Sequence, residues 1–101
     1  MCQVEKFEDV ASKKLALVEF FTTWCGPCKT QKSILQDVET RNAALFFAAI
    51  DVESDPALAD RLAVRCVPTM ILFENGKEKG RLHGLQQKER IEGLIGTALT
   101  A

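Results

Sequence analysis

Two cysteines, Cys25 and Cys28, bracket Gly26-Pro27 in the stretch TTWCGPCK. Thiols so spaced have three uses: holding a metal, stapling a loop, or exchanging with a disulfide elsewhere. A metal site needs two further ligands, and the sequence has no second C-x-x-C and a single histidine, His83. Cys2 and Cys66 would have to converge on the pair through folding alone, so no metal is expected. A staple closing so short a loop stabilises little and is held reduced in a reducing compartment. Exchange suits the residues best. If Cys25 begins a helix, unpaired N–H groups and the positive end of the helix dipole stabilise its thiolate. Cys28, one turn on, lies on the same face within sulfur-to-sulfur reach. Gly26 lets another backbone approach, and Pro27 presets a helical φ while giving up an N–H that had no partner. Cys25 would attack a substrate disulfide, and Cys28 would then attack the mixed disulfide and release the reduced product.

That chemistry needs a strand to deliver the pair and a helix to begin at it. The segment LALVEFF, residues 15–21, is a near-continuous apolar run, as expected of a strand covered on both faces. Residues 29–40 follow with helical spacing, Ile34, Leu35 and Val38 on one side. Before the strand, Phe7, Val10 and Ala11 mark a short amphipathic helix. After it, residues 44–52 read as a second buried strand, and Ser54-Asp55-Pro56 opens a further helix with a capping side chain and an N-terminal proline. Residues 69–73 and EKGRLHG, joined through Asn75-Gly76, read as a hairpin. A last helix from about Gln87 carries Ile91, Leu94, Ile95, Ala98 and Leu99 as its core stripe. This order predicts an α/β fold: a small mixed sheet of four or five strands flanked by helices on both faces.

Composition narrows the class. The 101 residues have room for one domain, 1–101, and the 47% hydrophobic and 27% charged fractions fit a folded globular protein. A formal net charge of −1 with no basic block offers nothing to nucleic acid. The opening MCQVEKFEDV carries acids and has no apolar core, so neither a secretory nor a transit signal is expected. The apolar run at 15–21 is too short to span a bilayer. A cytoplasmic location is the expectation.

WCGPC after an apolar strand, an X-Pro-Thr segment well downstream, a hairpin through Asn-Gly and a glycine beyond it together resemble the thioredoxin family, from about Phe7 to Leu99. The resemblance implies the thioredoxin fold and a general protein disulfide reductase that donates electrons to cytosolic enzymes. It implies that Cys25 is an exposed nucleophile and Cys28 a shielded resolving thiol, the two cycling as a redox-active disulfide. Trp24, Gly26, Pro27, Val67, Pro68 and Gly84 would shape the substrate groove. Pro68 matches the family's cis-proline, with Val67 offering backbone hydrogen bonds to an extended substrate. The resemblance further implies a monomer with no bound cofactor, recharged by a thioredoxin reductase that carries FAD and uses NADPH. Its clients would be proteins such as peroxiredoxin, ribonucleotide reductase and methionine sulfoxide reductase. Two rival readings share the fold: an adaptor that only binds, and an oxidoreductase serving a single client. The intact Cys-Gly-Pro-Cys weighs against the adaptor.

Several positions depart from the family's pattern. Glu19 stands where an aspartate is usually buried beneath the second cysteine as a proton acceptor. Leu17, Val18, Phe20 and Phe21 around it are apolar, so Glu19 is expected to be buried, with its pKa raised toward neutrality for the same catalytic role. Ala49 stands where bacterial relatives often carry a lysine near that acid, and its charge is lost. Ser33 replaces a helix-kinking proline, which predicts a straighter helix, and Phe21 replaces a tryptophan. The chain before Glu5 is short, so a first strand is expected to be vestigial or missing. Cys66 abuts Val67-Pro68 and is expected on the rim of the active face. It is a candidate regulatory thiol, since some animal thioredoxins carry a cysteine there that can oxidise or join two subunits. Cys2 reads as incidental, and His83 as decoration on the last strand.

Overall fold

The inner five residues of the strand β2 (Leu15–Phe21) are all buried, so both of its faces must be covered. Ala16, Val18 and Phe20 face one layer, where Val10 of α1 (Glu8–Ala11) and Leu58 of α3 (Pro56–Arg61) pack on them. Leu17 faces the other, with Leu35 and Val38 of α2 (Gly26–Thr40) and Ile91 and Ile95 of α4 (Lys88–Thr100). The computed structural model describes residues 2–3 and 6–100.

β2 is central in a five-stranded mixed sheet of order β1-β3-β2-β4-β5. It runs parallel to β3 (Phe46–Asp51) and antiparallel to β4 (Thr69–Glu74). The parallel pair requires a crossover, and α2 supplies it. β1 (Cys2–Gln3) is indeed short, pairing only with Ala48 and Ala49 of β3. β5 (Lys77–His83) closes the other edge as the hairpin partner of β4. Asn75 and Gly76 form its turn at φ +52° and +81°, the two-residue arrangement that matches strand twist. α2 continues unbroken through Ser33, as the missing proline predicts.

Two contacts fix the loop that leads into the X-Pro-Thr segment. Asp55 Oδ1 accepts from the Leu58 N–H at 3.1 Å and starts α3. Arg81 reaches from β5 to the end of that helix, donating to the Leu62 carbonyl at 2.7 Å and the Ala63 carbonyl at 3.3 Å. Glu78 holds the same guanidinium with two hydrogen bonds of 2.6 Å, and this pairing lowers the pKa of its carboxyl.

One core assignment changes. Ile91 and Ile95 are buried and Leu94 and Ala98 pack against them, but Leu99 is 66% exposed. The stripe of α4 turns about 100° per residue, and by Leu99 it has rotated past the sheet.

Candidate active site

After β2 the chain turns through Thr22–Trp24, with the Cys25 N–H donating to the Thr22 carbonyl at 3.3 Å. Cys25 is the N-cap of α2, in extended backbone at φ −86° and ψ 109°, and Gly26 and Pro27 are the first helical residues. Its Sγ accepts from the Cys28 N–H at 3.1 Å, so one of the orphan amides of the helix start is spent on sulfur. Cys25 and Cys28 are joined as a disulfide, with their Cα atoms 5.3 Å apart. The first turn of α2 carries no acid, and Lys29 and Lys32 follow it. A helix start of this kind is the setting in which thiolates are generally stabilised.

An open Cys25 and a shielded Cys28 were the expectation, and the oxidised state differs. Both cysteines are buried, at 5% and 3% exposure. The two sulfurs are bonded to each other, and the Cys28 amide donates to the Cys25 side. Trp24, Gly26 and Pro27 are the exposed members of the motif, Trp24 at 71%.

Glu19 is buried, as its apolar neighbours suggest, with Ala49 and Met70 beside it on the adjoining strands. It opens onto a cleft of about 220 Å³ that Thr22, Cys28 and Lys32 also line. Its Oε2 is buried and has no hydrogen-bond partner among the described residues. Burial pushes its pKa up from 4.5 to about 7, and the charge of Lys32 opposes that rise. The two effects are unequal because the carboxyl is desolvated while Lys32 stays at the surface. A carboxyl poised near neutrality, in the same cleft as Cys28, can take up and give back a proton.

The second wall comes from the far half of the chain. The Val67-Pro68 peptide is cis, and Pro68 is buried. Its carbonyl accepts from the Gly84 N–H at 2.8 Å, and Gly84 sits at φ +74°, where a side chain would be strained. Val67 and Cys66 then share a groove of about 500 Å³ with Trp24, Val52, Ala59 and Val64. The structure thus brings Trp24, Gly26 and Pro27 to one side of the disulfide region and Val67, Pro68 and Gly84 together on the neighbouring loops. Cys66 is an exposed free thiol on this rim, 3.6 Å from Thr69 Oγ1 and 3.8 Å from Nδ1 of His83. His83 therefore faces the groove's edge as well as ending β5. The side chain of Cys2 lies outside the described residues.

Two residues beside the disulfide were not singled out from sequence. Lys32 follows Cys28 by one helical turn, a spacing that would have placed it on the same face. Gln31 is fully buried on the apolar stripe of α2, and a polar residue on such a stripe is itself a signal. Among the described residues no group of three or more His, Cys, Asp or Glu side chains is placed to hold a metal. No described helix is long and apolar enough to cross a membrane.

Comparison with known proteins agrees with this geometry. The family model for thioredoxin matches residues 1–97. A thioredoxin of Chlamydia caviae is 35% identical over 91 residues, covering 90% of this chain and 89% of that one. A bifunctional thioredoxin reductase/thioredoxin of Mycobacterium leprae is 42% identical over 85 residues, which is 81% of this chain and 18% of that longer one. Among solved structures, a mutant thioredoxin of Halobacterium salinarum superposes with a TM-score of 0.86 at 31% identity, covering 95% of this chain and 88% of that one. A dithiol pair at the head of a helix, on this sheet and with these relatives, makes the chain a protein-disulfide oxidoreductase that belongs to the thioredoxin family.

Proposed function

We propose that this oxidoreductase is a general protein disulfide reductase of the cytoplasm, acting as a monomer with residues 1–101 as one domain. The observation that carries the reading is the Cys25–Cys28 disulfide at the N-cap of α2, with Cys28 and the neutral-poised Glu19 lining one cleft. In the reduced form the Cys25 thiolate attacks a client disulfide, forming a mixed disulfide and expelling one client thiolate. Glu19 takes the Cys28 proton, and the resulting thiolate attacks Cys25 Sγ. The second client thiolate leaves, and the enzyme ends as the disulfide seen here. Two electrons pass from the dithiol to the client, and no bound cofactor takes part.

Trp24, Gly26 and Pro27 form one lip of the client groove, and Val67, Pro68 and Gly84 the other. An extended segment laid across it would pair with backbone at Val67, a mode that tolerates many sequences. Peroxiredoxin, ribonucleotide reductase and methionine sulfoxide reductase are the clients this reading expects. The electrons would come from a flavin-containing thioredoxin reductase using NADPH. The relative that joins a reductase and a thioredoxin in one chain supports that pairing.

Reduction of insulin by dithiothreitol, with and without the protein, tests the reading. Acceleration that disappears in Cys25→Ser supports a general reductase. A wild-type protein no faster than dithiothreitol alone would leave an adaptor or a single-client enzyme.

A further inference from the structure

Gln31 lies on the buried face of α2 between Cys28 and Leu35, with no surface exposed. An amide in such a place is costly unless both of its halves are bonded. Both halves go to one residue far along the chain. Gln31 Nε2 donates to the Gln86 carbonyl at 3.0 Å, and Gln31 Oε1 accepts from the Gln86 N–H at 2.7 Å. The side chain thus pairs with a peptide group as a neighbouring strand would. Gln86 stands two residues beyond Gly84, whose own N–H donates to the Pro68 carbonyl. The loop 84–86 is therefore tied at one point to the cis-proline segment and at another to the helix that carries the disulfide. A leucine or methionine at position 31 would fill the same stripe without any desolvation penalty. What the amide adds is a fixed relation between two walls of a site.

We propose that Gln31 is a positioning residue for client binding: it locks the loop 84–86 to α2, so that Gly84 and Pro68 hold their place relative to Cys25. The proposal rests on the reading of Val67, Pro68 and Gly84 as the client groove. It concerns protein disulfides, which must lie in that groove, and not small disulfides, which need only reach the sulfur.

The test compares wild type, Gln31→Met and Gly84→Ala on two substrates, insulin and hydroxyethyl disulfide, alongside amide hydrogen exchange. Gln31→Met should raise KM for insulin about fivefold to tenfold with kcat within about twofold, since a loosened wall costs orientation more than chemistry. Its rate with hydroxyethyl disulfide should stay within about twofold of wild type, and the amides of Gly84 and Gln86 should exchange at least about tenfold faster while those of β2 and β4 do not change. Equal losses on both substrates would overturn the proposal, because they report damage to the sulfur centre. An unchanged KM in Gln31→Met beside a raised KM in Gly84→Ala would overturn the clamp and leave the groove standing. Unchanged KM in both variants, with the loop amides exchanging faster, would remove the groove reading and the proposal with it. Gln31→Glu gives a second route should the methionine variant fold poorly. Its carboxyl can donate and accept as the amide does only when protonated, so its KM relative to wild type at each pH should approach unity as pH falls. A ratio that stays well above unity down to the lowest pH would also overturn the clamp.

Discussion

Glu19 of the central strand and Lys32 of α2 open onto one cleft together with Cys28. The carboxyl is desolvated and the ammonium is not, so burial outweighs attraction and the acid stands near pH 7. Lys32 exerts from the helix the kind of charge that Ala49, beside Glu19 on β3, cannot. Two predictions come from the acid and one from the lysine.

Stability should fall as pH rises through the titration of Glu19. The unfolded carboxyl loses its proton near 4.5 and the folded one near 7. Between those values the folded chain holds the extra proton, so raising pH favours unfolding, and above them the penalty is complete at roughly 3 kcal/mol. Glu19→Gln should match wild type below pH 4.5 and be more stable above pH 7, by about 2–3 kcal/mol. Urea unfolding of both proteins across this range reads the difference directly. A gap that does not change with pH would show that the carboxyl is not held near neutrality.

The same substitution should harm turnover while it helps stability. With the proton acceptor gone, release of the mixed disulfide should slow by roughly tenfold to a hundredfold, and formation of it should not. Trp24 is the only tryptophan and lies next to Cys25 in the chain, so stopped-flow fluorescence can follow the two steps separately. Equal slowing of both would count against proton transfer through Glu19.

Replacing Lys32 by methionine should move the acid in the opposite sense from its present partner. Loss of the positive charge raises the Glu19 pKa further, so the acid limb of the release rate shifts to higher pH. Lys32 is exposed, which makes the shift modest, and added salt should shrink it in wild type. Carboxyl carbon chemical shifts against pH would measure it. No movement would mean that solvent screens the pair completely.

Much of this arrangement was legible in the chain. A buried strand running into Cys25, a proline in the first helical turn and Asn75-Gly76 between apolar runs each have a local cause, and each element formed where that cause lies. Glu19 was readable for the same reason: its neighbours on β2 announce burial on both faces. What stayed hidden is what depends on residues distant in sequence. The polar Gln31 stands out on its apolar stripe, but its partner Gln86, in the loop between β5 and α4, is 55 residues away in the chain. Arg81 gives no sign that it will hold the end of α3. The burial of Cys25, at 5% exposure beside the exposed Trp24, was not readable from the spacing of the motif. Leu99 keeps the apolar character of its helix but overshoots the sheet.

The hairpin turn should prove intolerant of a side chain. Gly76 lies at φ +81°, and a Cβ there would meet Ala11 Cβ at 3.2 Å. Gly76→Ala should cost about 1–2 kcal/mol, from the backbone conformation and the contact with α1 together. The urea midpoint should drop with its slope unchanged; an unaltered midpoint would show that α1 gives way freely.

The outermost strand ends the sheet in alternating charge, with Lys77, Glu78, Lys79 and Arg81 within its seven residues. A stray segment settling along that border would have to strip water from those side chains before gaining any hydrogen bond. For a molecule proposed to spend its life among half-folded polypeptides, that border discourages a visitor from adding itself to the sheet as a sixth strand.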